Sequence, residues 1–197
     1  MTGLPALGGL AIERLAAGPP HDPAASHFTE AFIAPGRGML LLQLRAHLPA
    51  LGEVDLLASP PLEALDEVLT GQGEDARGNA SFSLGGAILL PFANRIRGEA
   101  NHDRLAVRID GRSASLPLNW GGKRPDAERY AMHGLILDTP MPGRRTAVPR
   151  GEACEAEHDL GDFGAGWPSR ARARIVWTLT ASIFHLSVEV TNSASDT

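Results

Sequence analysis

Near the end of the chain, apolar residues fall at every second position. Ala173, Ile175, Trp177 and Leu179 form one such series. After a turn near 181–183, Phe184, Leu186, Val188 and Val190 alternate with His185, Ser187, Glu189 and Thr191. Successive side chains of a strand point to opposite faces, so both runs predict half-buried strands of an antiparallel sheet. A tighter hairpin is written at 104–116. There Leu105, Val107 and Ile109 alternate with Arg104, Ala106 and Arg108, and Asp110-Gly111 supplies the two positive-φ positions of a type I′ turn. Upstream, Phe32-Ile33 and the run 39–44 predict strands joined through Pro35-Gly36-Arg37-Gly38. Residues 53–58 predict a short strand and 81–90 another. The spacing predicts one helix, opened by Pro60-Pro61, with Leu62, Leu65, Val68 and Leu69 on one face and Gly71 as its stop. The polar, Gly-rich stretch 71–80 reads as a loop. These elements predict an all-β chain, an antiparallel β-sandwich with one short helix and no internal repeat.

Composition narrows the partners. The chain has 197 residues, 43% hydrophobic and 21% charged, as in a globular domain. A formal net charge of −5 argues against a polyanion-binding surface, so no nucleic acid is expected. The cluster from Arg170 to Arg174 alternates along a strand and reads as a solvated face. No apolar run approaches the length of a membrane span, and Met1 to Ala17 lacks a basic n-region, so the chain is read as cytoplasmic and free of membrane. Residues 1–28 are rich in Gly, Pro and Ala and are expected to be poorly ordered or loosely attached, with the domain proper at 29–197. The single cysteine, Cys154, excludes an intrachain disulfide, and Glu152, Glu155 and Glu157 beside it disfavour a thiolate.

Candidate chemistry sits in two short stretches. In Pro91-Phe92-Ala93-Asn94-Arg95-Ile96-Arg97-Gly98 an apolar run ends abruptly in an amide and a guanidinium. Tyr130-Ala131-Met132-His133-Gly134 adds an imidazole beside a glycine. An amide, a planar guanidinium fork and an imidazole together can read the hydroxyls of a polyhydroxylated ligand. Alone, Asn94 reads as a turn residue, Arg95 as a surface cation and His133 as a satisfied core histidine. Trp120, beside Gly121-Gly122, reads either as a sugar-stacking platform or as a residue packed beneath its loop. No histidine pair has metal-ligand spacing, so no metal is predicted. Dinucleotide, phosphate-loop and nucleophile-elbow motifs are absent from the sequence.

The order Pro-Phe-Ala-Asn-Arg-Ile-x-Gly, a hairpin, His-Gly and a late strand ending Val190-Thr191-Asn192 resembles the aldose 1-epimerase (galactose mutarotase) family over about 29–197. The resemblance implies a galactose mutarotase-like supersandwich, here incomplete, and interconversion of α and β anomers of free hexoses such as galactose or glucose without a cofactor. It assigns Asn94 and Arg95 to sugar binding, and His133 to binding with an auxiliary catalytic role. The family's acid is a second histidine in a His-x-Tyr-Phe-like motif after the Thr-Asn strand, and its base is a glutamate nearer the C-terminus. Neither motif occurs here, so the chain reads as the N-terminal portion of an epimerase-like protein. A non-catalytic carbohydrate-binding module and an inactive fragment are the rival readings. For the isolated chain the strand at 184–191 is expected to present an open edge that invites self-association, an edge that in the inactive-fragment reading a partner must cover.

Overall fold

The computed structural model describes residues 11–121 and 127–193. Four strands, β1 (Glu13–Ala16), β2 (His27–Ala34), β3 (Leu40–Leu48) and β4 (Gly52–Asp55), form an antiparallel sheet in that order. A helical turn at Leu62–Ala64 leads into α1 (Leu65–Val68), and 3₁₀ turns occupy Gly73–Leu84. Short strands follow: β5 (Arg95–Ile96), β6 (Glu99–Asn101), β7 (Arg104–Ile109), β8 (Arg112–Pro117), β9 (Trp120–Gly121) and β10 (Arg129–Met132). The chain then lays down β11 (Arg144–Val148), β12 (Gly151–Gly161), β13 (Ala171–Thr180) and β14 (Phe184–Asn192) as a second four-stranded antiparallel sheet. Two small three-stranded sheets, ordered β6-β7-β8 and β5-β10-β9, complete it.

The two large sheets pack face to face. Leu15, Ala31, Ile33, Leu41 and Leu44 of the first meet Cys154, Ala156, Ala173, Ile175, Trp177 and Leu179 of the second. Trp177 Nε1 donates to the Met39 carbonyl at 2.9 Å, tying the second sheet to the turn before β3. The opposite face of β2 and β3 is covered as well, with Phe32, Leu40 and Leu42 packed against Leu65, Leu69 and Leu84. A strand buried on both faces has no polar side to show, which is why 40–42 reads Leu-Leu-Leu without alternation. The helical segment is pinned through Asp75. Buried Arg37 grips its carboxylate with both ends of the guanidinium fork, and the same carboxylate accepts from the Gly71 and Ala80 amides at 2.7 and 3.0 Å.

The predicted hairpin is present. Asp110 (φ +49°) and Gly111 (φ +77°) turn β7 into β8, with Val107 opposite Ala114. The strand expected at 81–90 is not formed. Ser81 to Leu84 belong to the 3₁₀ turns, Gly85 turns at φ +83°, and one bond from the Leu41 amide to the Gly86 carbonyl at 3.1 Å replaces a ladder. The short strand expected at 53–58 ends at Asp55. The segment expected to be loosely attached is docked from residue 12 onward. β1 pairs with β2, and Leu15 is fully buried against the inter-sheet core. Residues 1–10 lie outside the described residues. The longest strand, β12, was not foreseen. Its Glu-Ala-Cys-Glu-Ala-Glu run carries little of the β-branched or aromatic character that marks strands, yet its Ala and Cys side chains fill the core.

Candidate functional site

The site is built where β5 meets β10. Arg95 pairs with Met132 and Ile96 with Ala131. One step beyond, the His133 amide donates to the Asn94 carbonyl at 2.8 Å. Both residues take left-handed backbone conformations, Asn94 at φ +63° and His133 at φ +62°. The ribbon thus ends in two facing αL corners, a conformation Asn and His tolerate better than most side chains. Gly134 (φ +84°) follows, and the Leu135 amide donates to the Leu90 carbonyl at 2.6 Å. A Cβ on Gly134 would sit 2.3 Å from that carbonyl oxygen, so the close approach of the two segments requires glycine. Residues separated by a whole hairpin in sequence, Asn94-Arg95 and His133, are therefore neighbours.

Tyr130 organises the charges around them. Its ring is buried, with the Arg95 guanidinium 5.2 Å and the Arg97 guanidinium 5.6 Å from its centroid. Arg97 is spoken for, since it pairs with Glu128 at 2.9 Å, and Glu128 also accepts from the Tyr130 hydroxyl. Arg95 is exposed and has no carboxylate partner among the described residues. Of two arginines on one tyrosine, one is neutralised and the other has no acidic partner among the described residues.

His133 is half-buried. Its ring lies 4.9 Å from that of Phe82, and Phe82 meets Trp120 edge-on at 5.9 Å. Burial lowers its pKa below the ordinary imidazole value of 6.5, so the neutral ring prevails at neutral pH. Its Nδ1 is buried without a hydrogen-bond partner among the described residues. The backbone just before it is clamped by Asn119. That side chain accepts from the Met132 amide at 2.7 Å and donates to the Met132 carbonyl at 2.9 Å and to Asn79 Oδ1 at 2.8 Å. Asn119, Asn79, Phe82 and Tyr130 are contributors that spacing did not announce. Tyr130 opens the candidate stretch and Asn119 precedes Trp120, yet the sequence alone assigns neither a role.

Trp120 is half-exposed, not packed away beneath its loop, and Gly122 beside it lies outside the described residues. Together with Asn79, Phe82 and Asn119 it forms one wall of a groove of about 880 Å³, whose other wall comes from 67–77. Asn94, Arg95 and His133 are not among the groove's lining residues. Of the three, His133 is connected to the groove through Phe82, whose ring lines the groove and lies 4.9 Å from the imidazole. Cys154 is fully buried, and burial first, then Glu13, pushes its thiol up to about 12. The direction agrees with the sequence expectation, but Glu13 of β1, not the flanking glutamates, is the acid involved.

No protein-family model matches this sequence, and no curated protein matches it. Among solved structures the chain is similar to the GalM/aldose epimerase homologue from C. elegans. The TM-score is 0.59 and the identity 14%, over 93% of this chain and 46% of that one. The fold is thus a galactose mutarotase-like sandwich, and the chain spans about half the length of that neighbour. No helix among the described residues is long and apolar enough to cross a membrane.

Proposed function

We propose that this chain binds a hexose at Asn94, Arg95 and His133, and that the chemistry it serves is interconversion of sugar anomers, as in the aldose 1-epimerases. The observation that carries the reading is the bond from the His133 amide to the Asn94 carbonyl. That bond makes the backbones of Asn94-Arg95 and His133 neighbours, which supports a shared site for the three residues on a mutarotase-like sandwich. Arg95 donates to ring hydroxyls, Asn94 both donates and accepts, and neutral His133 offers one donor and one acceptor without a charge to desolvate. Trp120 and Phe82 supply apolar surface for the C–H face of a sugar.

Mutarotation opens the ring by removing the C1 hydroxyl proton while protonating the ring oxygen, then recloses it on the other face. Two groups with tuned pKa values are needed. His133 can assist, but the acid and base motifs of the family have no counterpart in these 197 residues. The chain by itself is therefore expected to bind sugar and to turn it over slowly. Polarimetry of fresh α-D-glucose and α-D-galactose, beside calorimetric titration of the same sugars, tests this. Binding that disappears in Arg95→Ala and His133→Ala supports the assignment. Absence of binding for both sugars, or binding untouched by both substitutions, overturns it.

A further inference from the structure

The core-facing side of the second sheet runs past its cover. On β13, Ala173, Ile175, Trp177 and Leu179 are buried, and they lie opposite Val190, Val188, Leu186 and Phe184 of β14. Phe184 is still covered, stacked on Trp177 at 5.2 Å. Beyond it Leu186, Val188 and Val190 are 37%, 37% and 49% exposed, an apolar ledge on the last strand of the sheet. Among the described residues the outer edge of that backbone is also without a pairing strand. The Ser193 amide donates to Arg170, and the Thr180 amide to the Ile183 carbonyl, so odd-numbered positions of β14 address β13. Alternation then leaves the N–H and C=O groups of Leu186, Val188 and Val190 directed away from the sheet.

We infer that this edge pairs with the same edge of a second copy, β14 to β14, antiparallel about a two-fold axis at Ser187. The sequence of β14 selects that register. Centred on Ser187, Leu186 faces Val188 of the second copy, Phe184 faces Val190, and His185 faces Glu189, each contact made twice. Centred on Val188, Ser187 faces Glu189 and His185 faces Thr191, and the imidazole–carboxylate match is lost. Centred on Glu189, two carboxylates meet. On the outer face Glu189 already bonds Arg174 at 3.3 Å, which holds its carboxylate in place for the second copy's imidazole. Like surface meets like, as a two-fold interface requires. The pairing joins two sheets into one continuous sheet and covers the ledge. The inference stands apart from the sugar-site reading, since it uses none of Asn94, Arg95 and His133.

Sedimentation equilibrium of the 197-residue chain tests it. The expected species is a dimer. Val188→Lys, which sets a charge on the ledge, should raise the dimer dissociation constant at least tenfold while the circular dichroism spectrum stays unchanged. Register is read by cross-linking. Ser187 faces Ser187 in a non-hydrogen-bonded pair, where Cα atoms lie about 4.5 Å apart and a disulfide is allowed. Ser187→Cys should thus oxidise rapidly to a covalent dimer and Glu189→Cys should not, with buried Cys154 silent in both. A monomer at every concentration, a dimer indifferent to Val188→Lys, or equal cross-linking at both positions would overturn the proposal. A chain that stays monomeric until a different polypeptide is added would do so too.

Discussion

Among the described residues Arg95 has no carboxylate partner. Its neighbour Arg97, on the same tyrosine, is neutralised by Glu128, whereas the Arg95 guanidinium lies over the ring without such a pairing. Arg95→Ala should weaken hexose binding by about 1–3 kcal/mol, the scale of a charge-assisted hydrogen bond left unmade. Lys should restore only part of it, lacking the planar fork; titration calorimetry of the three proteins checks the order. His133 makes a pH prediction with a definite sign. Burial lowers its folded pKa beneath the ordinary 6.5, so below pH 6.5 the unfolded chain takes up a proton that the folded chain resists. Stability should therefore fall as pH drops below 6.5, and His133→Gln should flatten that fall in melts taken from pH 7.5 downward. Cys154 behaves oppositely. With its thiol pushed up to about 12 from 9.0, it stays protonated and sealed in the core. It should react with a thiol probe only at the rate of global opening, which labelling in rising urea will show.

At the scale of elements, the hairpin and β13 were legible because each keeps one face dry and one wet, and β14 carries the same period of two although its apolar face is open. The Asn94-Arg95 and His133 segments were legible as motifs, but their meeting was not, since it depends on the β5–β10 register. Two other elements hid for opposite reasons. β12 is written in Ala and Glu, which look helical, and its ladders with β11 and β13 and its burial in the inter-sheet core make it a strand. The stretch 81–90 looks like a strand, yet Gly85 at positive φ bends it away from any ladder. Asn119 was invisible because its role lies in a side chain that stands in for a strand, bonding both polar groups of Met132. Asn119→Ala should cost about 1–3 kcal/mol for the buried groups left unpaired. Asn119→Asp, which is isosteric, should cost at least as much, because it sets an acceptor against the Met132 carbonyl and Asn79 Oδ1. Chemical denaturation of the variants decides this. An Asp variant as stable as wild type would show that the clamp does not hold the corner.

For the whole molecule, cohesion depends on how the second sheet is fixed to the first. The inter-sheet core is rich in alanines (Ala31, Ala156 and Ala173), which bring the layers close but contribute little area each. Trp177 supplies the bulk among them. It stacks on Phe184, belongs to the same buried cluster as Ile33 and Leu41, and reaches across to the Met39 carbonyl. The apolar body and the polar tip can be separated by substitution. Trp177→Phe keeps most of the area but removes the indole donor, leaving the Met39 carbonyl unpaired, and should cost about 1–3 kcal/mol. Trp177→Ala opens a cavity between sheets whose alanines cannot reach in to fill it, and should cost about 3–5 kcal/mol, a large share of the stability of an ordinary domain. The two variants should also differ in kind. Trp177→Phe should still melt in one transition. In Trp177→Ala, β11 to β14 should lose hydrogen-exchange protection at lower denaturant than β1 to β4, because the lost side chain is what couples the layers. Simultaneous loss of protection in both sheets would mean that the surrounding alanines and leucines, not the tryptophan, make the sandwich one cooperative unit.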